Sequence, residues 1–563
     1  MIADFNPALI LVLGAFLLPL LPKAARGWGN VALPVLGLAQ MLLLGKGEWG
    51  QIEFLGYQLV TMRIDHLSFV WGLIFFIAAF LGALYAKHVD DVLQHVAGSV
   101  YAGAAIGAAF SGDLVTLFVW WELTAISSVF LIWARRTERA YQVGMRYLII
   151  QVASGVILLG GLLVHAHEVG SIAFEHLGLD GLGGKIIFVA FGIKCAFPFL
   201  HNWLQDAYPE ATVTGTVILS AFTTKLAVYA LARGYAGEDI LIWIGATMTA
   251  FPIFFAVMEN DLRRVLSYSL NNQLGFMVVG VGLGTELALN GTAAHAFSHI
   301  LYKALLFMAM GAVLHRVGTI KASELGGLYK SMPKTAFFCI IGSMSISAFP
   351  LFSGFISKSM VMTAAAAEHH TIVWLVLLLA SAGVMDHSGI KIPYFAFFAH
   401  DSGKRCEEAP ANMLWAMGIA AALCIGIGVY PAPLYAILPF AVDYAPYTTS
   451  HVITQLQLLM FSALAFGVLV RSGLYPPELR STHLDFDWTY RKLLPAAWRR
   501  AAPAVAAARD AGEQRGIALA KRAIAALFQL HGPQGILART AASGAMGLLA
   551  LIALAGGLFL FLN

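Results

Sequence analysis

Ten titratable side chains stand inside otherwise apolar stretches of this chain. They are Glu122, Lys194, Lys225, His295, His299, Lys303, Lys358, Asp386, His387 and Lys391. If those stretches lie in a bilayer, each charge costs at least about 2.5 kcal/mol, so each needs a reason. Burial loosens a lysine's hold on its proton and tightens a glutamate's, and an opposite charge nearby reverses both effects. Histidine titrates near neutral pH and passes a proton either way. Arginine, which keeps its charge, is absent from these mid-stretch positions. His295, His299 and Lys303 are spaced four apart, so on a helix they advance about 40° per step and climb about 12 Å, a polar ladder on one face. The chemistry these residue types and spacings allow is proton relay.

Each residue also has a plainer reading. Lys225 and Lys303 could snorkel to an interface. His295 and His299 could be helix–helix hydrogen bonds. Asp386, His387 and Lys391 could form a self-neutralised kink, and Glu122 could be a structural partner for a lysine. All four readings holding together is a poor account of so many buried charges. No nucleotide loop, zinc-protease or nucleophile-elbow pattern occurs. The four cysteines form no CxxC pair. No catalytic site, cofactor site or metal site is expected, and no nucleic-acid partner.

The elements that must hold these residues are helices in a membrane. Of 563 residues 59% are hydrophobic and only 12% charged, with a mean hydropathy of +0.77. A soluble domain needs roughly twice that charge. The apolar runs predict an all-α polytopic membrane protein with about sixteen spans, the first of them retained rather than cleaved. Loops 135–146, 259–264 and 315–334 carry Lys and Arg, whereas 166–182, 235–239 and 285–290 carry none. Basic loops face the cytoplasm, which predicts the inner membrane with the N-terminus outside. Segment 471–539 holds eleven Lys and Arg against five Asp and Glu. It stays cytoplasmic only if 335–366 is a single span broken near Phe349–Gly354, where Pro350 disrupts the helix. Such breaks persist at membrane depth only where they are buried or line a wet cavity. Residues 499–530 predict an amphipathic surface helix, followed by a last span at 543–562.

Several strings then carry a family resemblance: Trp121-Glu122-Leu123; Gly192-Ile193-Lys194 with Phe197-Pro198-Phe199-Leu200-His201-Asn202-Trp203; Asp261-Leu262-Arg263-Arg264-Val265; His299-Ile300-Leu301-Tyr302-Lys303-Ala304; and Ser353-Gly354-Phe355-Ile356-Ser357-Lys358. From about residue 60 to 400 the chain resembles the antiporter-like subunits of Mrp-type sodium/proton antiporters, respiratory complex I and membrane-bound hydrogenases, with a leaning to the D-type member of the Mrp set. The resemblance implies two inverted five-helix repeats, each with one broken helix, at 96–258 and 259–400. Spans in 1–95 precede them and spans in 401–470 follow. A cytoplasmic lateral segment at 471–541 and a final helix at 542–563 complete the chain. It also implies roles. Glu122 and Lys194 would be a coupled pair, Lys225 a bridge, His295, His299 and Lys303 the central relay, and Lys358 the terminal residue. Where some members place an acid after the terminal lysine, this chain has Ser359, and Asp386 is a candidate substitute with His387 and Lys391 as accessories.

Three functions follow as expectations. The first is a proton-translocating subunit of a cation/proton antiporter, with other antiporter-like and small membrane subunits as partners and protons, with sodium as a second candidate, as the ions. The second is the proton-pumping arm of a complex I-like or hydrogenase-type redox enzyme. The third is a membrane subunit of an inorganic-carbon uptake complex.

Overall fold

Apolar helices long enough to cross a bilayer must satisfy all their backbone groups internally, and this dominates the computed structural model, which describes residues 5–479, 484–539 and 542–562. The helices in order are α1 (Ala8–Leu17), α2 (Lys23–Leu44), α3 (His66–Tyr85), α4 (Val92–Ala109), α5 (Leu114–Trp133), α6 (Glu138–Val169), α7 (Leu182–Cys195), α8 (Asn202–Ala207), α9 (Val213–Ala221), α10 (Thr223–Gly234), α11 (Asp239–Met258) and α12 (Leu262–Leu283). They continue as α13 (Glu286–Val317), α14 (Pro333–Ile346), α15 (Ser353–Ala367), α16 (Thr371–Val384), α17 (Lys391–Pro393), α18 (Ala411–Val429), α19 (Ala432–Tyr435), α20 (Thr449–Arg471), α21 (Leu494–His531) and α22 (Ser543–Leu562).

Among the described residues twelve helices are long and apolar enough to cross a membrane, fewer than the sixteen spans expected. The other four expected spans differ for physical reasons. The first is short, Ala8–Leu20. Segments 183–205 and 335–366 are each split into two shorter helices, α7 with α8 and α14 with α15. Helix α12 has the length but carries Arg263, Arg264, Asn271, Asn272 and Gln273, all buried. The chain is a multi-pass membrane protein.

The membrane-crossing architecture is all-helical, with one small addition. Between α2 and α3 lies an antiparallel hairpin, β1 (Gly47–Phe54) and β2 (Tyr57–Ile64), with Phe54 opposite Tyr57 at the turn. It docks on the α4–α5 loop: Gly112 N–H donates to Val60 O (2.9 Å), and the Asp113 carboxylate accepts from Val60 N–H (3.0 Å).

The two split helices break alike. Residues 196–201 separate α7 from α8, and 347–352 separate α14 from α15. Both contain Ala-Phe-Pro, at 196–198 and 348–350. In both, two non-glycine residues three apart take left-handed conformations, Ala196 (φ 61°) with Phe199 (φ 70°) and Ala348 (φ 58°) with Leu351 (φ 75°). The hydrogen bonds match too: Phe197 N–H to Gly192 O and Phe349 N–H to Met344 O, both 3.0 Å. This six-to-one bond after a left-handed residue is the usual helix stop, except that alanine stands where glycine is normal. Each left-handed alanine costs roughly 1–2 kcal/mol, which the surrounding packing must offset.

By contact density the chain divides into Met1–Asp485 and Phe486–Asn563. In the first body the core runs through Trp71, Trp121, Tyr101 and Tyr229, all fully buried, while Leu43, Ile149, Val156 and Leu163 are exposed, as a lipid-facing surface requires. Residues 472–479 and 484–485 belong to this body. The second body comprises the 38-residue helix α21, covering the expected surface helix, and the apolar α22.

Candidate functional site

Glu122 lies on α5 with its side chain against α6. A Cβ at residue 155 would stand 1.3 Å from Glu122 Oε1, so glycine there leaves room for the carboxylate. Oε1 is buried without a hydrogen-bond partner. Lys194, next to last in α7, sits at the mouth of the first break. Its Nζ donates to Trp121 O (2.6 Å) and Thr124 Oγ1 (2.8 Å) and lies 4.5 Å over the Trp121 ring. Glu122 Oε1 therefore makes no hydrogen bond to it; the two feel each other's charge without touching.

Lys225 follows an interruption at Phe222 between α9 and α10. Its Nζ donates to Ser220 O (2.6 Å), a carbonyl at the end of α9. Lys358 does the same at the second break: its Nζ donates to Ile346 O (3.1 Å), the last carbonyl of α14. Lys391 gathers three carbonyls at the end of α11, from Ala256 (3.4 Å), Val257 (2.6 Å) and Glu259 (2.8 Å). Helix C-termini carry unpaired carbonyls and the negative end of the helix dipole, so a cation is favoured there. Three buried lysines thus find helix ends, and Lys391 also faces the Glu478 carboxylate at 3.5 Å.

The ladder on α13 is as spaced. His295 and His299 ring centres are 6.2 Å apart, and Tyr302 packs on His299 at 5.3 Å. His295 Nδ1 meets Ser357 Oγ at 3.1 Å, which ties α13 to α15. Neither ring nitrogen of His299 has a protein partner. Buried polar atoms of that kind are where a hydrated path takes a water. Lys303 Nζ donates to Ser269 Oγ (2.8 Å) and to Leu266 O (3.4 Å) on α12. Lys303 lies within electrostatic reach of Lys225 and Lys358, and His299 of all three. One row therefore runs Lys225, His299 with Lys303, then His295 with Lys358, and Lys194 adjoins it through its neighbour Cys195, which feels the charge of Lys225. Lys358 also lines a cavity of about 230 Å³ with Ser359, Thr363, His451, Thr454 and Gln455.

Asp386 and His387 lie where α16 widens into a π-helical stretch, Met385–Ile390, and Lys391 follows it as the first residue of α17. Asp386 is not brought to Lys358; its charge partner is Lys391. Sequence reasoning missed several groups. Ser269 and Ser388 carry no signal of their own, since serine is common in spans. Glu478 lies 3.5 Å from Lys391. Asp485 accepts from Tyr268 (2.8 Å), meets His201 Nε2 (3.1 Å) and accepts from Asn202. Both acids had read as part of a solvated basic tail.

The Asp485 contact makes a pH prediction. Burial alone would raise this carboxyl, but the hydrogen bonds and charge of His201, with Asn202 and Tyr268, outweigh it and hold the group down at about 2. A depressed carboxyl contributes stability above its unfolded value, about 3.9, and loses it as pH falls through the folded value. Docking of this segment should hold at neutral pH and loosen between about pH 4 and about pH 2. Hydrogen exchange of peptides containing Asp485 reads this, and protection unchanged at about pH 2 would show that another group seats the segment.

The same arrangement of helices and the same stretch of sequence occur in known membrane proteins. A probable K(+)/H(+) antiporter component of the A/B type from Rhizobium meliloti is 29% identical over 404 residues, 66% of this chain and 40% of that protein. A Na(+)/H(+) antiporter component of the D type from Alkalihalophilus pseudofirmus is 30% identical over 323 residues, 54% of this chain and 64% of that one. The chain thus spans less than two thirds of either relative, and its similarity to A- and D-type components alike leaves the leaning to the D type unresolved. The Mrp complex from Dietzia sp. DQ12-45-1b has a chain of the same fold, with a TM-score of 0.77 at 22% identity over 92% of this chain and 62% of that one. Residues 111–384, which hold the seven titratable side chains from Glu122 to Lys358, match the family described as "NADH:quinone oxidoreductase/Mrp antiporter, TM", and this stretch of the chain belongs to that family of antiporter-like membrane subunits.

Proposed function

We propose that this chain is a proton-translocating subunit of a multi-subunit cation/proton antiporter of the Mrp type. The observation that carries the reading is the row of fully buried lysines and histidines from Lys194 to Lys358. Lysines held by carbonyls can give up a proton without stranding a buried anion beside them, as a relay requires. In this reading protons enter by Glu122 and Lys194, cross by Lys225, His299 and Lys303, and leave by Lys358 into the adjoining cavity. Glu122 sets the charge of Lys194 at a distance.

The matched breaks at Ala196–Phe199 and Ala348–Leu351 support two related halves, in line with the inverted repeats at 96–258 and 259–400. The basic loops support a cytoplasmic face at 135–146, 259–264 and 315–334 and an N-terminus outside. A second reading, the pumping arm of a redox enzyme, is favoured by the family's description, which covers quinone oxidoreductases as well as antiporters.

Gentle detergent extraction of native membranes, with mass spectrometry of what co-purifies, tests the choice. Small membrane subunits and a larger antiporter-like sibling are the expected result. Flavin- or iron–sulfur-binding subunits would move the chain to the redox enzyme. Purification as a single free chain would overturn both.

A further inference from the structure

Between Lys225 and Lys303 no unbroken hydrogen-bonded route exists among the described residues. Lys225 Nζ is turned to Ser220 O, and the His299 nitrogens between them have no protein partner. From Lys303 a continuous route does leave, in another direction, and runs as far as His387. Lys303 Nζ meets Ser269 Oγ at 2.8 Å, Ser388 Oγ meets Ser269 Oγ at 2.8 Å, and His387 Nδ1 meets Ser388 Oγ at 2.8 Å. All four side chains are fully buried. The far ring nitrogen, His387 Nε2, is buried with no partner. His387 lies within electrostatic reach of Lys303, Lys358 and Lys391. Lys391 in turn faces Glu478, Glu259 and Asp386, and Glu478 is partly open, its side chain 10% exposed. The π-helical turn Met385–Ile390 carries both His387 and Ser388, and such bulges recur at functional sites.

We propose that Lys303 is reloaded with protons through this side path, from the Glu478–Asp386–Lys391 cluster by way of His387, Ser388 and Ser269. The inference rests on the relay reading above and deepens it. His387 takes a proton on Nε2 from the cluster by way of a water, since no protein group reaches that nitrogen, and releases the one on Nδ1 to Ser388 Oγ. Ser388 passes its own hydroxyl proton to Ser269, and Ser269 passes its own to the neutral Nζ of Lys303. Each hydroxyl gains one proton and loses one, so neither is left charged, and hydroxyl hydrogens rotate freely enough to serve. The path resets when the imidazole and the two hydroxyls turn back.

The side path has an economy that the row lacks. Lys225 and Lys303 disfavour each other's charge, so the row does not readily hold protons on both at once. The cluster around Lys391 instead holds three acids, Glu478, Glu259 and Asp386, that favour a proton there. The hairpin-like return of residues 472–479 onto the bundle then has a purpose, since it brings Glu478 to Lys391.

The test is proton uptake into membrane vesicles containing the assembled complex, with rates normalised to the amount of complex. Ser388→Ala removes the middle hydroxyl and should slow uptake about tenfold. Ser388→Thr keeps a hydroxyl and should stay within about twofold of wild type, a rescue that loss of packing would not give. Lys303→Ala is the control on the parent reading, and wild-type uptake in that variant would sink the relay itself. With Lys303→Ala inactive, wild-type uptake in Ser388→Ala would overturn the side path alone. So would equal losses in Ser388→Ala and Ser388→Thr.

Discussion

Replacing Lys303 by alanine should cut proton flux through the assembled complex by about 100-fold, the low end of what a positioned proton-transfer group contributes. Lys303 is the point of convergence. It shares charge with Lys225 and Lys358 on either side and hydrogen-bonds Ser269 on α12. Its ammonium is fully buried, and the titratable group nearest to it along the same face of α13 is His299, one turn away. Lys303→Arg separates charge from chemistry. Arginine keeps the cation but does not release its proton in a protein, so this variant should be as inactive as Lys303→Ala. Initial rates of acidification in vesicles, normalised to assembled complex, read both. Wild-type flux in Lys303→Arg would mean that the position needs only a positive charge.

Gly354→Ala should be a damaging small change in the fold, about 1–3 kcal/mol of stability from overpacking. The added Cβ would stand 1.8 Å from Ser345 O and 3.0 Å from its carbonyl carbon. Those are backbone atoms of α14, which cannot swing aside as a side-chain tip can. The two halves of the broken helix touch here, and Ser345 Oγ and Ser353 Oγ meet at 2.8 Å across the same contact. Forcing them apart also pulls Ile346 O from Lys358 Nζ, so flux should fall with stability. Gly426→Ala is the control, since a Cβ there meets nothing within 4 Å. Unfolding by a graded denaturing detergent compares the two variants. Equal stability in both would mean that the break tolerates separation.

The buried charges were legible because their cost in a bilayer makes them conspicuous whatever the fold. The break at Pro350 was legible through charge balance, since only a single broken span kept the basic tail with the other basic loops. The Ala-Phe-Pro string at both 196–198 and 348–350 was equally available, but its meaning lies in the left-handed residues around it, which no residue type announces when alanine, phenylalanine and leucine occupy them. The hairpin at Gly47–Ile64 was hidden by its position between two apolar runs, although Leu55-Gly56 marks its turn. The partners of the lysines could not be read at all. A sequence shows an ammonium but not the carbonyl it will find: the resemblance implies Glu122 as the coupled neighbour of Lys194, and the structure adds the hydrogen-bond partners Trp121 O and Thr124 Oγ1. Ser269 and Ser388 lie 119 residues apart, and their meeting belongs to tertiary packing.

The lysines that end helices have one more consequence. Lys225, Lys358 and Lys391 each meet the carbonyls at a helix end. A neutral amine still donates to a carbonyl, but it no longer brings the charge that answers the helix dipole. In the relay proposed above, the hold on that helix end would therefore weaken when the proton leaves and tighten when it returns. Each such lysine would then be a latch that protons fasten and loosen, a means by which a flow of charge could be made to move something else.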